Sequence, residues 1–587
     1  MPELKYGVRN GKLFYFLFAT ILVLAINVML NLRLSHKKLF KLNRTDILIT
    51  AFFSFLVLRQ AFESIPEISS PDFLQWVLMA AVYGLIRSSF SPGSMINTNT
   101  IIIVILFSGI YQCINGLGEL YGYKESYHPV FAVTGSFFNP GPFAGFLATI
   151  FPVALIVIKK LNGKQFIQVG IRYLGIITLL LILIIIPSTQ SRASWLAIVI
   201  STFLSYTLIY RVPTIFNFYF RTKTKRILST IIVIILTGAI SFGLFQWKKD
   251  SAMGRILTWE VSLKLIANNP LIGVGFGQYN AAFGSEQANL FRFEADNWQK
   301  AQVAGKGEYA FNEWLAIGVE QGVLGLFLFT GILVSALFAF RNFRTYTPRD
   351  ILSIAALSGL VSIVVFSLFS YPFSVTPILF YYFVYIGIIS SQDNTTIISF
   401  EITRGIRSVG SIILLIFLLA ALFQTHTYYH AYRGWKRASE LKLYGNYESS
   451  IVLFDKHFDV LKENGEFLFE YGQSLTLAND YREGIRILKL ASLHASDPYL
   501  YNSLGNCYQE LKEYDNARAA YEHAFYLVPH KFYPRYLLAK LYEEMGEQKK
   551  AVETAKLLLK MREKIPSLAI DEMKIEMEEL INKYKSE

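Results

Sequence analysis

The sequence predicts an all-α protein in two parts. A polytopic membrane helix bundle of about 12 spans comes first, and an α-solenoid of short repeated helices follows. Three observations predict it. Hydrophobic residues make up 53% of the 587-residue chain and charged residues only 17%, with a mean hydropathy of +0.37; soluble chains of this length are rarely so apolar. Apolar stretches recur along residues 1–425 at lengths near the ~20 residues that cross a bilayer core. Beyond residue 425 the chain turns charged and Tyr-rich, and residues 430–587 repeat themselves with a period of about 34 residues.

Twelve segments are expected to span: roughly 13–32, 45–62, 73–87, 98–120, 141–158, 172–187, 192–210, 227–245, 313–340, 350–371, 377–392 and 408–425. The first has no small-residue cleavage site before Arg33 and reads as a retained anchor. Loop charges set the orientation. Arg33, Lys37, Lys38, Lys41 and Arg44 follow the first span; Lys159, Lys160 and Lys164 the fifth; Arg211, Arg221, Lys223, Lys225 and Arg226 the seventh; Arg341, Arg344 and Arg349 the ninth. Cytoplasmic loops are the basic ones, which puts the even-numbered loops and the C-terminal tail outside. Lys5, Arg9 and Lys12 oppose this, because they precede the first span on the predicted outer side. The net charge of +13 is thus a topology signal, and no nucleic-acid partner is expected. Two distant cysteines, Cys113 and Cys507, exclude a disulfide framework and a Cys-based metal site.

In the tail, Gly472, Gly505 and Ala539 fall in register, as do Tyr447, Tyr481 and Tyr514, and Ser450, Gly484, Ala517 and Ala551. This pattern resembles the tetratricopeptide repeat, whose small residues let paired helices approach. Four copies are expected at 434–466, 467–497, 498–531 and 532–565, then a capping helix around Asp571–Glu578. The domains are therefore 1–425, with a large outer loop at 246–312, and 430–587. Stacked repeats form a concave surface suited to a protein partner, or they only scaffold the bundle.

Four local sequences carry the chemistry, and the topology places all four on the outer face. Gly135 to Gly145, with Asn139-Pro140-Gly141-Pro142, makes a turn at the start of the fifth span, as either a re-entrant loop or an ordinary helix start. Ser191-Arg192-Ala193-Ser194-Trp195 sets an arginine beside a span, where its fork grips a phosphate or its charge anchors the interface. Gly254-Arg255 heads an expected amphipathic surface helix, 255–268, with Trp259, Leu263 and Ile266 on one face. The glycines after it, Gly273, Gly275 and Gly277, follow no strand and lack a Gly-Lys-Ser/Thr, so they are not a nucleotide loop. Finally, Phe311-Asn312-Glu313 enters a span carrying Gly322-x-x-Gly325, two glycines expected to allow close helix packing.

In order and in side, these motifs resemble the O-antigen ligase and O-antigen polymerase family of bacterial membrane glycosyltransferases, including its protein O-oligosaccharyltransferase-like members. The resemblance covers most of 98–392. It implies transfer of a glycan from an undecaprenyl-diphosphate carrier to a hydroxyl on a glycan, lipid or protein acceptor, at the outer face of the bacterial cytoplasmic membrane, with neither metal nor cofactor. It implies that Arg192 and Arg255 bind and stabilise the diphosphate, with Asn139, Asn312 and Trp259 in the substrate site. The family's histidine before the Asn is Phe311 here. Glu313 is then either the catalytic base or an N-terminal charge complement to its helix. His128 is a more distant base, Lys248 and Lys249 are auxiliary cations, and arginines acting without a base are a further route. A polymerase of the same family, a lipid-linked glycan flippase and a membrane-anchored adaptor are the competing readings.

Overall fold

The computed structural model describes residues 1, 3–32, 38–62, 70–90, 98–161, 165–210, 249–293, 298–341, 348–393 and 395–584. The expected span at 227–245, Lys248 and the basic residues between Arg211 and Arg226 lie outside them, as do Arg33, Lys37, Lys164 and Arg344.

The bundle comprises α1 (Gly7–Leu32), α2 (Arg44–Ala61), α3 (Pro71–Ser89), α4 (Thr98–Leu120), α5 (Pro140–Lys160), α6 (Phe166–Ile185), α7 (Arg192–Tyr210), α8 (Lys249–Asn268), α9 (Tyr279–Phe293), α10 (Trp298–Val303), α11 (Glu313–Arg341), α12 (Pro348–Ser367), α13 (Thr376–Ser391) and α14 (Arg404–Leu443). Of these, α1, α4, α5, α6, α11 and α14 are long and apolar enough to cross a membrane, and α7, α12 and α13 are shorter apolar helices. The chain is a membrane protein. Helices α2 and α3 occupy the second and third expected spans, packed on α11 and α13 respectively.

α5 is the centre of the bundle, buried along most of its length between α6, α7 and α12. Gly145 makes that contact possible: a Cβ there would lie 2.4 Å from the Phe366 ring of α12. Ser362 of α12 then reaches across to the Ala148 carbonyl at 2.7 Å. A two-stranded antiparallel sheet pairs β1 (Lys38–Leu42) with β2 (Ile398–Ile402), which ties the end of α1 to the start of α14. Beside it Asp46 of α2 receives Arg87 at 2.5 Å and the Tyr83 hydroxyl at 2.7 Å, so its buried charge is compensated.

α11 is not a continuous helix. Gly322 breaks it at φ 65°, ψ −170°, a conformation open essentially to glycine alone. The backbone groups freed by the break are paired with the loop after α8. Val274 N donates to Val319 O at 2.8 Å and Gly275 N to Glu320 O at 2.9 Å, while Val323 N donates to Pro270 O at 2.8 Å. Cβ atoms at Gly273 and Gly322 would each fall 2.4 Å from the facing backbone. The glycines after α8 thus serve a helix splice, and Arg59 of α2 clamps it by donating to the Ile272 and Gly273 carbonyls at 3.2 and 3.1 Å.

α14 runs unbroken for 40 residues, so the change in composition near residue 425 falls inside one helix. Its last turns pair with α15 (Tyr447–Leu461), and three more pairs follow: α16 (Gly465–Leu477) with α17 (Tyr481–His494), α18 (Pro498–Glu510) with α19 (Tyr514–Leu527), and α20 (Phe532–Glu544) with α21 (Gln548–Leu559). α22 (Leu568–Lys583) caps the stack. The predicted small positions act as the spacing implies. Gly472 and Gly505 sit where a Cβ would strike Leu488 and Tyr521, and Ala517, Ala539 and Ala551 are fully buried.

The repeats pack back onto the bundle. α19 lies against α9, with Gln287 Nε2 donating to the Leu527 carbonyl at 2.7 Å. The basic N-terminal segment lies on that same face: Lys5 meets Glu470 of α16 at 2.7 Å, and Lys12 donates to the Ser136 carbonyl in the loop before α5. Its cations are therefore held by the tail and the loops, and the N-terminus shares a side with the repeats despite its charge.

Burial alone would raise the Glu470 carboxyl, but Lys442 and Lys5 outweigh it and hold the group below its ordinary value of 4.5. A depressed carboxylate stabilises the fold above its unfolded value and loses that contribution as the pH falls through the folded one. Glu470→Gln is therefore expected to melt below wild type at neutral pH, by the equivalent of about 1–2 kcal/mol. The gap should close as the pH drops below about 4.5. Paired melting curves from pH 7 to pH 3 measure it; a gap that persists or widens in acid counts against this ion pair.

Candidate active site

The first-turn residues of two helices and the body of a third converge at one end of the bundle. α7 opens with Arg192, two residues after Gln190 in left-handed backbone at φ 50°. α11 opens with Glu313, immediately after Phe311 at φ 50° and Asn312. A left-handed conformation is uncommon for any side chain and strained for a bulky aromatic one. The chain thus adopts it just ahead of each of these two helices. Arg255 comes from α8, which starts at Lys249, so the arginine lies in its second turn and not at its head.

Arg255 and Arg192 are close enough for their charges to interact. Burial first, and then the Arg192 charge, lower the Arg255 pKa from its ordinary value, with Tyr371 acting the other way. Arg255 makes no ion pair among the described residues. Its guanidinium faces the Phe311 ring at 5.3 Å, so the residue at the expected histidine position packs against a site arginine. Tyr371 completes the rim: it stacks on Tyr309 at 3.9 Å and 9°, and meets Phe311 edge-on at 5.6 Å. Burial, and after it Tyr309 and Glu308, push the Tyr371 phenol up, while Arg9 and Arg255 pull it back. Tyr371 therefore remains a neutral O–H donor at physiological pH. Two partly desolvated guanidiniums beside neutral phenols make a rim that favours an anion with several oxygens.

Several predicted site residues hold the frame of this rim. Asn139 caps α5, its Oδ1 accepting from Gly141 N at 2.9 Å. Asn312 caps α11, accepting from Trp314 N at 3.0 Å and Leu315 N at 3.2 Å. The buried Glu313 carboxylate turns toward the short turn Pro372–Ser374, accepting from Phe373 N at 2.7 Å. That turn follows Tyr371 directly, so Glu313 fixes the backbone that carries the phenol. His128 is engaged locally, its Nδ1 accepting from Val130 N at 3.1 Å and Phe131 N at 3.3 Å.

α8 has two apolar faces where one was expected. The predicted stripe is present with Leu263 exposed and Trp259 and Ile266 half-buried, and Ile256, also exposed, adds to it. A second stripe, Leu257, Val261 and Leu265, packs with Tyr279, Phe283 and Phe291 of α9. Trp259 approaches Phe369 at 6.4 Å, and its buried indole N–H has no hydrogen-bond partner among the described residues.

Sequence reasoning missed three contributors. Glu119, in the last turn of α4, accepts from Thr134 N and Gly135 N, each at 2.6 Å, and Gln112 of the same helix bonds Ser136 in both directions. These two brace the loop before Asn139; polar residues on an apolar span were the available signal. Arg9, in the first turn of α1, acts on Tyr309 and Tyr371. Its signal was the violated charge rule.

Comparisons with known proteins fit this geometry. A family model described as O-antigen ligase matches residues 177–330, which include Arg192, Arg255, Trp259, Phe311, Asn312 and Glu313. A tetratricopeptide repeat model matches 498–530 and 534–565. The chain is similar to the exopolysaccharide production protein ExoQ of Rhizobium meliloti (strain 1021), 29% identical over 109 residues, which are 18% of this chain and 23% of that relative. The match thus spans less than a quarter of the relative's length. Among solved structures, it is similar to MamA of Desulfovibrio magneticus RS-1, at 18% identity over 24% of this chain and 83% of that one, TM-score 0.22. A crystal structure of MamA is 19% identical over 25% of this chain and 91% of that one, TM-score 0.21. Residues 177–330 thus match an O-antigen ligase family model, and the segments matched by the tetratricopeptide repeat model follow in the C-terminal part of the chain.

Proposed function

We propose that this protein transfers a glycan from a polyprenyl-diphosphate carrier to an acceptor hydroxyl at the outer face of the bacterial cytoplasmic membrane. The observation that carries the reading is Arg255 set against Phe311 beside the Tyr309–Tyr371 stack, in the same matched segment that holds Arg192. In the reaction the bond between the sugar's anomeric carbon and the carrier diphosphate breaks, and a bond from that carbon to the acceptor oxygen forms. Negative charge grows on the departing diphosphate. Arg192 and Arg255 neutralise it from a partly dry site, with the Tyr371 hydroxyl as a further donor. Trp259 offers its unpartnered indole N–H to the substrate. Asn139 and Asn312 act by fixing the helix starts on which the rim stands.

Glu313 is assigned a positioning role, because its carboxylate already receives Phe373 N. The acceptor proton then leaves with the departing phosphate oxygens or to water, as in the route that relies on arginines alone. The relative named for exopolysaccharide production favours a polysaccharide acceptor, and the repeats supply a surface for a protein partner.

Reconstitution with a lipid-linked oligosaccharide and an added acceptor tests the reading. Arg255→Gln is expected to lose about 10²–10³-fold in transfer, the range for removing one preorganised donor of developing charge. Arg255→Lys should recover little, since an ammonium lacks the bidentate fork. Movement of the lipid across the bilayer without product would instead identify a flippase.

Glu313→Gln keeps an acceptor for Phe373 N and is expected to stay within about tenfold of wild type, roughly 1.4 kcal/mol of barrier. A loss as deep as that of Arg255→Gln would return Glu313 to the role of base.

The orientation has its own measurement. His430 is exposed on α14, while Cys113 and Cys507 are buried. With His430→Cys, a membrane-impermeant thiol reagent should label intact cells; protection until permeabilisation would put the repeats inside.

A further inference from the structure

We propose that a groove between α1, α3, α4 and α13 holds the polyisoprenoid tail of the carrier lipid, with the lipid's phosphate at Lys12; this rests on the proposed function. The groove has a volume of about 1060 Å³ and is lined along α1 from Gly7 to Leu24. At 1.5 Å per residue that is about 25 Å, most of a bilayer's hydrocarbon thickness. Phe16, Leu24, Ile86 and Phe380 make its walls apolar. Its outer end is polar, with Lys12 and Thr376.

Lys12 is the reason to place a lipid anion there. It sits half-buried at the head of a membrane span, its Nζ bonded to the Ser136 carbonyl and 3.7 Å from the Phe137 ring centroid. Both contacts suit a cation, yet neither supplies a negative charge. No carboxylate lines the groove, and Lys12 makes no ion pair among the described residues. A cation in an apolar wall without a counter-charge is costly. A phosphate at the outer end removes that cost while the tail fills the apolar wall.

The mouth of the groove adjoins the arginine rim, which selects the carrier over a bilayer phospholipid. Thr376 lines the groove, and Tyr371, five residues earlier in the same loop, faces Arg255. Arg9, one helical turn before Lys12, acts on Tyr309 and Tyr371. Arg9 answers to Asp72, Glu466 and Glu308 as well as to Tyr309, which leaves Lys12 as the cation that lines the groove.

Native mass spectrometry of the full chain released from nanodiscs tests this, with undecaprenyl diphosphate in one arm and phosphatidylglycerol in the other. Wild type is expected to retain the diphosphate lipid. Lys12→Gln, which removes the charge, and Ala19→Trp, which fills the middle of the groove, should weaken retention about tenfold. Lys12→Arg should restore it. Melting temperature is the control for folding, and Thr20→Phe replaces Ala19→Trp should the latter unfold. Folded variants that hold the carrier as well as wild type would overturn the groove and leave the proposed function standing. Phosphatidylglycerol retained in its place, with the same Lys12 dependence, would also overturn it. A wild type that retains no carrier lipid would sink both.

Discussion

The structure depends on the splice at Gly322. A span that breaks within the membrane must pair its freed backbone groups, because the bilayer offers no water. Here the partner is the Pro270–Gly275 loop, which follows directly on the helix carrying Arg255. The pairing therefore does two things at once. It satisfies the broken helix, and it locks α8 to α11. Arg255 is thereby set against Phe311 at a fixed distance. Glycine at 273 and at 322 is a steric requirement of that lock, since any Cβ would penetrate the opposing backbone.

A rim of like charges is unfavourable without an anion, and the surrounding residues make the arrangement persist. Aromatic rings, not carboxylates, surround Arg255: Phe311 under the guanidinium and the Tyr309–Tyr371 stack beside it. Rings face a cation without neutralising it, so the field stays available to a ligand. Glu308 stands by the Tyr309–Tyr371 stack, and Glu313 is turned away to hold the 372–374 turn. Phe311 is consistent with this logic. A histidine at that position would bring a titratable group toward the arginine, and phenylalanine brings only a packing surface.

Much of the fold was legible because its signals are periodic. Apolar runs marked the apolar helices of the bundle but not α9 and α10, which lie in the stretch read as a loop, and the register of Gly472, Gly505 and Ala539 located the repeat pairs. The site was legible as an ordered set of motifs, but their roles were not. Asn139 and Asn312 stood out as polar residues at membrane boundaries, and capping uses the same chemistry as ligand binding. The loop at 273–277 advertised its glycines without indicating what they approach, since a splice partner nearly 50 residues away leaves no local pattern. Glu119 and Gln112 were hidden for the same reason: their partners lie across a loop.

The basic N-terminus shows why a global rule and a local one diverge. Loop charge orients spans because free cations resist translocation. Lys5 and Lys12 are not free in the folded protein. Lys5 is paired to Glu470 on a repeat, and Lys12 to the carbonyl of the loop that precedes α5. Their partners lie on the tail and on that loop, so the folded arrangement itself accounts for where these charges sit. The same segment then joins the tail, the Asn139 loop and, through Arg9, the aromatic rim. The residues that break the charge rule are thus the ones that join the N-terminal segment to the tail and to the loop before α5.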